Sequence, residues 1–228
     1  MIILYCKVRV YDKYFTFCFL KYLSYQFGRE NNLPQICMEI CFQIMQLTTE
    51  EIQKLETLSL SESLSFIAEK FQDHIVFSTS LGQEDQVITD AIFKNNLPIK
   101  VFTLDTGRLF YEHYELLSKN NARYKTKTQV YFPEAEDVEK YVNEKGINAF
   151  FQSVENRKEC CFIRKVKPLN RALEGAKVWI TGLRAEQSDN RENMPIIEWD
   201  DTKQLYKFNP LIHWSYEDVL QYIEKENV

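Results

Sequence analysis

The sequence predicts an α/β fold built on a doubly wound, mainly parallel sheet. Three observations carry that prediction. From residue 47 onward, short apolar runs alternate with segments of helical period. Helix-starting signals punctuate the alternation. Small polar turns follow three of the apolar runs. Parallel strands need crossover connections, and helices in those crossovers end up on both faces of the sheet.

The elements follow in order. Thr48 with Glu51, and Ser59 with Glu62, have the spacing of capping boxes. Residues 61–71 read as a helix. IVFSTS, residues 75–80, is an apolar run ending in small hydroxyl residues and reads as the first strand. Residues 84–95 are helical, with Val87, Ile88, Ala91 and Ile92 on one face. IKVFTLDT, residues 99–106, is the second strand, and residues 110–121 form a helix. TQVYF, residues 128–132, is the third strand, followed by a helix over 134–144. Residues 160–173 read as another helix, in which Pro168 either starts a new turn or kinks the old one. AKVWITG, residues 176–182, is the fourth strand. IIEWDD and KQLYKFNPL pair as a hairpin. Ser215 caps a last helix, SYEDVLQYIEKEN. The chain contains no repeats and no low-complexity stretch.

Composition narrows the function. The 228 residues are 45% apolar and 27% charged, an ordinary globular balance with enough length for a sizeable core. A net charge of −5 and a pI near 5.4 argue against a nucleic-acid binder. No run of about 18 apolar residues is present, so no membrane span is expected, and no signal peptide is recognisable. The six cysteines show no disulfide-framework spacing and point to a reducing compartment, the cytoplasm. The three histidines have no zinc-like spacing. His74 and His213 read as structural.

Residues 1–46 differ from the rest. They hold four of the six cysteines, and five basic against three acidic residues give them a net charge of +2. The remaining chain therefore carries −7 against the −5 of the whole. This atypical segment reads as an extension outside the domain or a poorly packed arm, with Met38 or Met45 as the native start. The domain itself covers 47–228.

In doubly wound sheets, ligands bind beyond the carboxyl ends of the strands. After the first strand comes STSLGQED, residues 78–85. Ser78, Ser80 and Gly82 there lead into a helix start bearing Glu84 and Asp85. Hydroxyls and backbone N–H groups at such a place suit phosphate or sulfate. The spacing is neither a P-loop nor a dinucleotide fingerprint. Read alone, it is equally a plain strand-to-helix turn with dipole-favoured acids. After the second strand come Leu104, Asp105, Thr106 and Gly107, in LDTGRLF. Asp105 can accept from a ribose hydroxyl and Gly107 permits close backbone approach, or the group is a simple turn. After the fourth strand, TGLRAEQSDNR supplies Gly182, Arg184 and Arg191. The two arginines can clamp an anion in bidentate fashion, or sit on a solvated loop. Together these strand ends describe a nucleotide site with an anionic tail.

KECCFIRKVKPLNRAL, residues 158–173, adds adjacent thiols at Cys160 and Cys161 beside Arg164, Lys165, Lys167 and Arg171. Neighbouring cysteines make a poor disulfide pair. Positive charge lowers thiolate pKa. On their own, the two thiols also read as small apolar residues next to a solvated basic face.

STSLGQED, LDTGRLF, ECCFIRKVKPLNRAL, WITGLRAEQS and KFNPLIHWSYEDV, in that order, resemble the assimilatory adenylyl-sulfate reductases, a branch of the PAPS reductase family. The resemblance runs from about residue 75 to the end. It implies an adenine nucleotide α-hydrolase-like fold and an oxidoreductase of sulfate assimilation and cysteine biosynthesis. By the same resemblance, residues 78–85 hold the sulfate–phosphate end of adenylyl sulfate, and residues 104–107 lie along the adenosine. Lys165, Arg184 and Arg191 meet the anionic groups. Cys160 and Cys161 become two thiolate ligands of a [4Fe–4S] cluster, which takes four. The resemblance implies a second cysteine pair and a nucleophilic cysteine beyond Val228, so a C-terminally incomplete domain is expected. The implied chemistry is attack of a cysteine thiolate on the sulfonate sulfur, with AMP leaving. Thiols of thioredoxin, glutaredoxin or glutathione then release sulfite. A homo-oligomer is compatible with this reading.

Three other readings stay open. A phosphoadenylyl-sulfate reductase shares the fold, but the paired cysteines argue against it. An ATP pyrophosphatase-type adenylating enzyme favours a Ser-Gly-Gly-x-Asp-Ser loop, where this chain has Gln86 in place of the last serine. A non-catalytic nucleotide-binding remnant is the third. Cys37 and Cys41, spaced i, i+4, present themselves weakly as replacement cluster ligands.

Overall fold

The computed structural model describes residues 46–191 and 193–228. The segment ahead of them, with Cys6, Cys18, Cys37, Cys41 and the two start methionines, lies outside the described residues.

Leu47–Val228 forms one compact unit. Helix α1 (Thr49–Leu55) and helix α2 (Leu60–Phe71) both begin with the expected capping boxes, Thr48 with Glu51 and Ser59 with Glu62. Each satisfies orphan N–H groups at the helix start and contributes about 1 kcal/mol. Strand β1 (Ile75–Ser78), α3 (Gln83–Lys94), β2 (Lys100–Leu104), α4 (Tyr111–Tyr124), β3 (Gln129–Tyr131) and α5 (Ala135–Lys145) then alternate. Next come α6 (Val154–Cys161), a π-helical turn (Phe162–Val166) and α7 (Lys167–Ala172). Strand β4 (Val178–Ile180), strands β5 (Ile197–Asp200) and β6 (Leu205–Phe208), and α8 (Tyr216–Glu226) complete the unit.

The six strands form one sheet in the order β3-β2-β1-β4-β6-β5. Every pairing is parallel except β5 with β6, the expected hairpin. Chain order runs outward from β1 through β2 to β3, then jumps back to β4 on the other side. That reversal puts the topological switch point between β1 and β4, the place where sheets of this kind form a crevice at the carboxyl ends.

Both faces of the sheet are buried, and the strands read accordingly as apolar runs. On one face Val76, Phe102 and Leu205 pack with Ala172 and Leu173 from the end of α7. Strand alternation turns Ile75, Phe77, Val101 and Ile180 to the other face, and all four are buried.

The basic cysteine segment departs from the expected single helix. It begins at Val154, capped by Ser153, six residues before the anticipated start. It then widens into a π turn in which the N–H of Lys167 reaches Phe162 O. Pro168, at the second position of α7, supplies the reason. It has no N–H to give the carbonyl one turn back, so the helical ladder skips a residue there. The turn leaves Arg164 buried while its neighbour Lys165 stays exposed.

Helix α8 is tied to α3 and α4 through one buried carboxylate. Asp90 of α3 is 1% exposed and accepts from Tyr124 Oη at 2.8 Å and Tyr222 Oη at 3.0 Å. Lys94 pairs with Glu226 beside it. The last helix is thus fixed at a definite height against α3.

Candidate active site

The turn after β1 is organised by Asp85. Its Oδ2 accepts from Ser80 N at 2.5 Å and from Ser80 Oγ at 2.7 Å. Gly82 N reaches Ser80 Oγ at 3.3 Å, and Leu81 N reaches Thr79 Oγ1 at 3.0 Å. Leu81 is buried yet has φ of +66°, a left-handed conformation that costs a leucine about 1 kcal/mol. Burial of Leu81 and the bonds around it hold that strained turn. Trp179 of β4 donates to Ser78 Oγ at 2.8 Å and locks the two strand ends together.

Asp85 is 7% exposed, and burial pushes its carboxyl above the ordinary 3.8 against the two bonds from Ser80, with Glu84's charge adding to the rise. Its other oxygen lies against Gly182. A Cβ built there would overlap Oδ1 and come within 3.2 Å of Cγ and 3.4 Å of the Asp85 backbone nitrogen. Glycine is thus required by close approach of the β4 loop to α3.

The loop after β2 is held from the cysteine segment. Arg164 donates through Nη1 to Thr106 O at 2.6 Å. Gly107, at φ +70°, leaves space there; a Cβ would sit 3.1 Å from Nη1. Asp105 is buried, and its Oδ1 accepts from Gly107 N at 2.7 Å. Asp105 also pushes the phenol of Tyr114 up from its ordinary value. Leu104 ends β2 half-buried, packed against the core.

The loop after β4 carries Arg184, 6% exposed. Its Nε donates to Glu84 Oε1 at 3.0 Å and its Nη1 to Glu186 Oε2 at 2.8 Å. The guanidinium lies 5.5 Å from the centre of the Tyr216 ring. Gln187 bridges further, donating to Glu84 at 3.1 Å and accepting from Arg191 Nη1 at 2.6 Å. Burial acts to raise the Glu84 pKa. Its own backbone N–H, Arg184 and Gln187 outweigh burial and hold the carboxyl below 4.5.

The structure therefore gathers the expected residues unevenly. Ser78, Ser80, Gly82, Glu84, Asp85, Gly182, Arg184 and Arg191 meet at the switch point. Leu104, Asp105, Thr106 and Gly107 border it from β2, and Arg164 joins them to the cysteine segment. Lys165 is exposed, with no ion pair to another described residue. Asp85 and Glu84 prove to be internal partners of Ser80 and Arg184.

Three supporting residues escaped the sequence reading. Asn209 is fully buried and accepts from Thr181 Oγ1 at 2.6 Å, while Ile212 O accepts from Ala185 N, so NPLI braces the arginine loop. Trp179 and Tyr216 are the others. Their motifs were visible, but an indole or an amide inside an apolar run carries no sign of its distant partner.

Cys160 is buried and packs with Tyr141, Ala149 and Ile163, whereas Cys161 is exposed. A [4Fe–4S] cluster takes four thiolates. The described residues supply these two, and they hold no group of three or more potential metal ligands. The donor set fits half of such a site.

Among the described residues no helix is long and apolar enough to cross a membrane. The phosphoadenosine phosphosulfate reductase domain family matches residues 74–228. The adenosine 5'-phosphosulfate reductase of Rhizobium meliloti (strain 1021) is 47% identical over 175 residues, covering 77% of this chain and 66% of that protein. The enzyme of the same name from Allochromatium vinosum is 43% identical over 182 residues, covering 80% and 70%. The chain spans about two thirds of the length of these curated relatives. Among solved structures, the phosphoadenylyl-sulfate (PAPS) reductase from Candida auris in its phosphate complex superposes with a TM-score of 0.67 at 28% identity. That match covers 80% of this chain and 89% of the other. With the sheet order, the switch-point loops and these matches in agreement, the chain belongs to the phosphoadenosine phosphosulfate reductase family.

Proposed function

We propose that this chain is the nucleotide-binding domain of an adenylyl-sulfate reductase, an enzyme that reduces adenylyl sulfate to sulfite and AMP with electrons from a thiol. The single observation that carries the proposal is the meeting of three strand-end loops at one switch point, with the paired cysteines joined to them through Arg164. The relatives named as adenosine 5'-phosphosulfate reductases support the substrate.

In this reading the loop of Ser78, Ser80 and Gly82 faces the sulfate–phosphate end. The loop of Leu104, Asp105, Thr106 and Gly107 lies along the adenosine, and Lys165, Arg184 and Arg191 supply positive charge. These cations stabilise the negative charge that develops on the leaving phosphate as the sulfur–oxygen bond breaks. Cys160 and Cys161 are two of the four thiolates of a [4Fe–4S] cluster, and Arg164 and Lys165 offset its charge. Bound there, the cluster would supply a charged iron–sulfur centre held by Cys160 and Cys161. The reductant is a thioredoxin-, glutaredoxin- or glutathione-type thiol, and the compartment is the cytoplasm, supported by cysteine usage.

The paired thiols favour adenylyl sulfate over its 3′-phosphorylated form. Calorimetric titration with adenylyl sulfate, phosphoadenylyl sulfate and ATP separates the readings. Adenylyl sulfate should bind most tightly. Preference for the 3′-phosphate form would make the chain a PAPS reductase, and preference for ATP would make it an adenylating enzyme.

A further inference from the structure

We propose that Glu84 is a positioning residue: it orients the Arg184 guanidinium so that a single amino group, Nη2, is offered to the substrate's anionic end. The proposal rests on the nucleotide reading above and changes the expected role of Glu84, from touching the substrate to aiming the residue that does.

The geometry assigns each Arg184 donor in turn. Nε is taken by Glu84 at 3.0 Å. Nη1 is taken by Glu186 at 2.8 Å and lies 3.5 Å from Trp214 O. Among the described residues Nη2 makes no hydrogen bond, and it is not among the fully enclosed unpartnered side-chain atoms, which are Gln86 Nε2 and His113 Nδ1. It is therefore neither paired nor fully enclosed among the described residues. The Tyr216 ring, whose hydroxyl donates to Gln83 Oε1 at 2.9 Å, closes the guanidinium's face. A bidentate clamp through Nε and Nη2 is thus unavailable while Glu84 is in place. The anion meets Arg184 at one end of the fork.

Two features mark Glu84 as the organiser. It sits in the first turn of α3, directly after the anion loop, so one side chain joins loops 100 residues apart. Each carboxylate takes a second bond, Glu84 from Gln187 and Glu186 from Tyr216 N, but that of Glu84 is only 18% exposed and that of Glu186 56%. An oriented, shielded carboxylate holds a guanidinium far better than a solvated one.

The test is calorimetric titration of AMP and adenosine into the full chain and its variants, with circular dichroism confirming the fold. For wild type, AMP should bind more tightly than adenosine. In Glu84→Gln the AMP affinity should fall about tenfold, the worth of one well-aimed charge-assisted bond, with adenosine unchanged. Gln187→Ala, a surface change that leaves folding intact, should lower AMP affinity less and spare adenosine. Glu186→Gln should change neither by more than about twofold, as expected of a solvated pair. A Glu84→Gln chain that binds AMP as well as wild type, or more tightly, would overturn the proposal, as would equal loss of AMP and adenosine. Wild type that binds neither ligand would sink the nucleotide reading and this inference with it.

Discussion

Gly182→Ala is the most demanding test of the crevice geometry. The added methyl overlaps Asp85 Oδ1, and Cγ and the backbone nitrogen of Asp85 stand at 3.2 and 3.4 Å. Rotating the carboxyl away relieves the overlap only by giving up the bonds from Ser80 N and Ser80 Oγ, at 2.5 and 2.7 Å. Moving the backbone instead strains β4 against α3. Overpacking of this kind costs about 1–3 kcal/mol, and the carboxylate bonds are worth about 1.5–3 kcal/mol. The two are not additive, because either escape relieves the other, so about 3 kcal/mol is expected. Urea unfolding of the full chain, at a slope of about 2 kcal/mol/M, should show the midpoint falling by about 1.5 M. Removing the obstructing carboxyl should recover part of the loss. Gly182→Ala with Asp85→Ala together should cost at least 1 kcal/mol less than the sum of the singles, the signature of contact. A Gly182→Ala chain within 0.5 kcal/mol of wild type, or strict additivity in the double variant, would refute the packing argument.

Other expectations follow from the same structure. Asp90→Ala leaves two half-buried phenols without their acceptor and should cost about 3 kcal/mol, against about 1 kcal/mol for Tyr222→Phe, both read by urea unfolding. Burial, with Asp90 as acceptor, pushes Tyr124 and Tyr222 above their ordinary 10.0. The folded state then keeps protons that the unfolded chain releases, so this stabilisation is complete below pH 10 and is lost as pH rises above it; ultraviolet titration of tyrosinate should lag that of the unfolded chain. Cys161 should be alkylated much faster than Cys160 in peptide mapping by mass spectrometry, because only Cys161 is exposed.

Much of the fold was legible because its determinants are local. Both N-terminal capping boxes formed where Thr48, Glu51, Ser59 and Glu62 placed them. The four parallel runs became strands, and the IIEWDD and KQLYKFNPL segments paired antiparallel. The cysteine helix was less legible. Its first six residues, VENRKE, are polar and lack an apolar stripe, so period alone did not reveal them. Pro168 announced a perturbation, but only the hydrogen-bond ladder shows that it became a π turn. At the site, the loops were found because strand ends advertise themselves through Gly, Ser, Thr and Asp. Their internal partners were not. The pairing of Glu84 with Arg184 joins positions 100 residues apart, and no local pattern encodes it. For the same reason the sequence offered Asp85 as a substrate contact without showing that it is also the clasp of its own loop.

In the proposed function an anionic adenine nucleotide binds at the β1–β4 switch point through Arg184. The most direct measurement is the affinity of adenylyl sulfate for wild type and for Arg184→Ala, on chains shown by circular dichroism to be folded. Wild type should bind, and the variant should lose at least about tenfold, the equivalent of one charge-assisted contact. Undiminished affinity in the folded variant, or no binding by wild type, would contradict it.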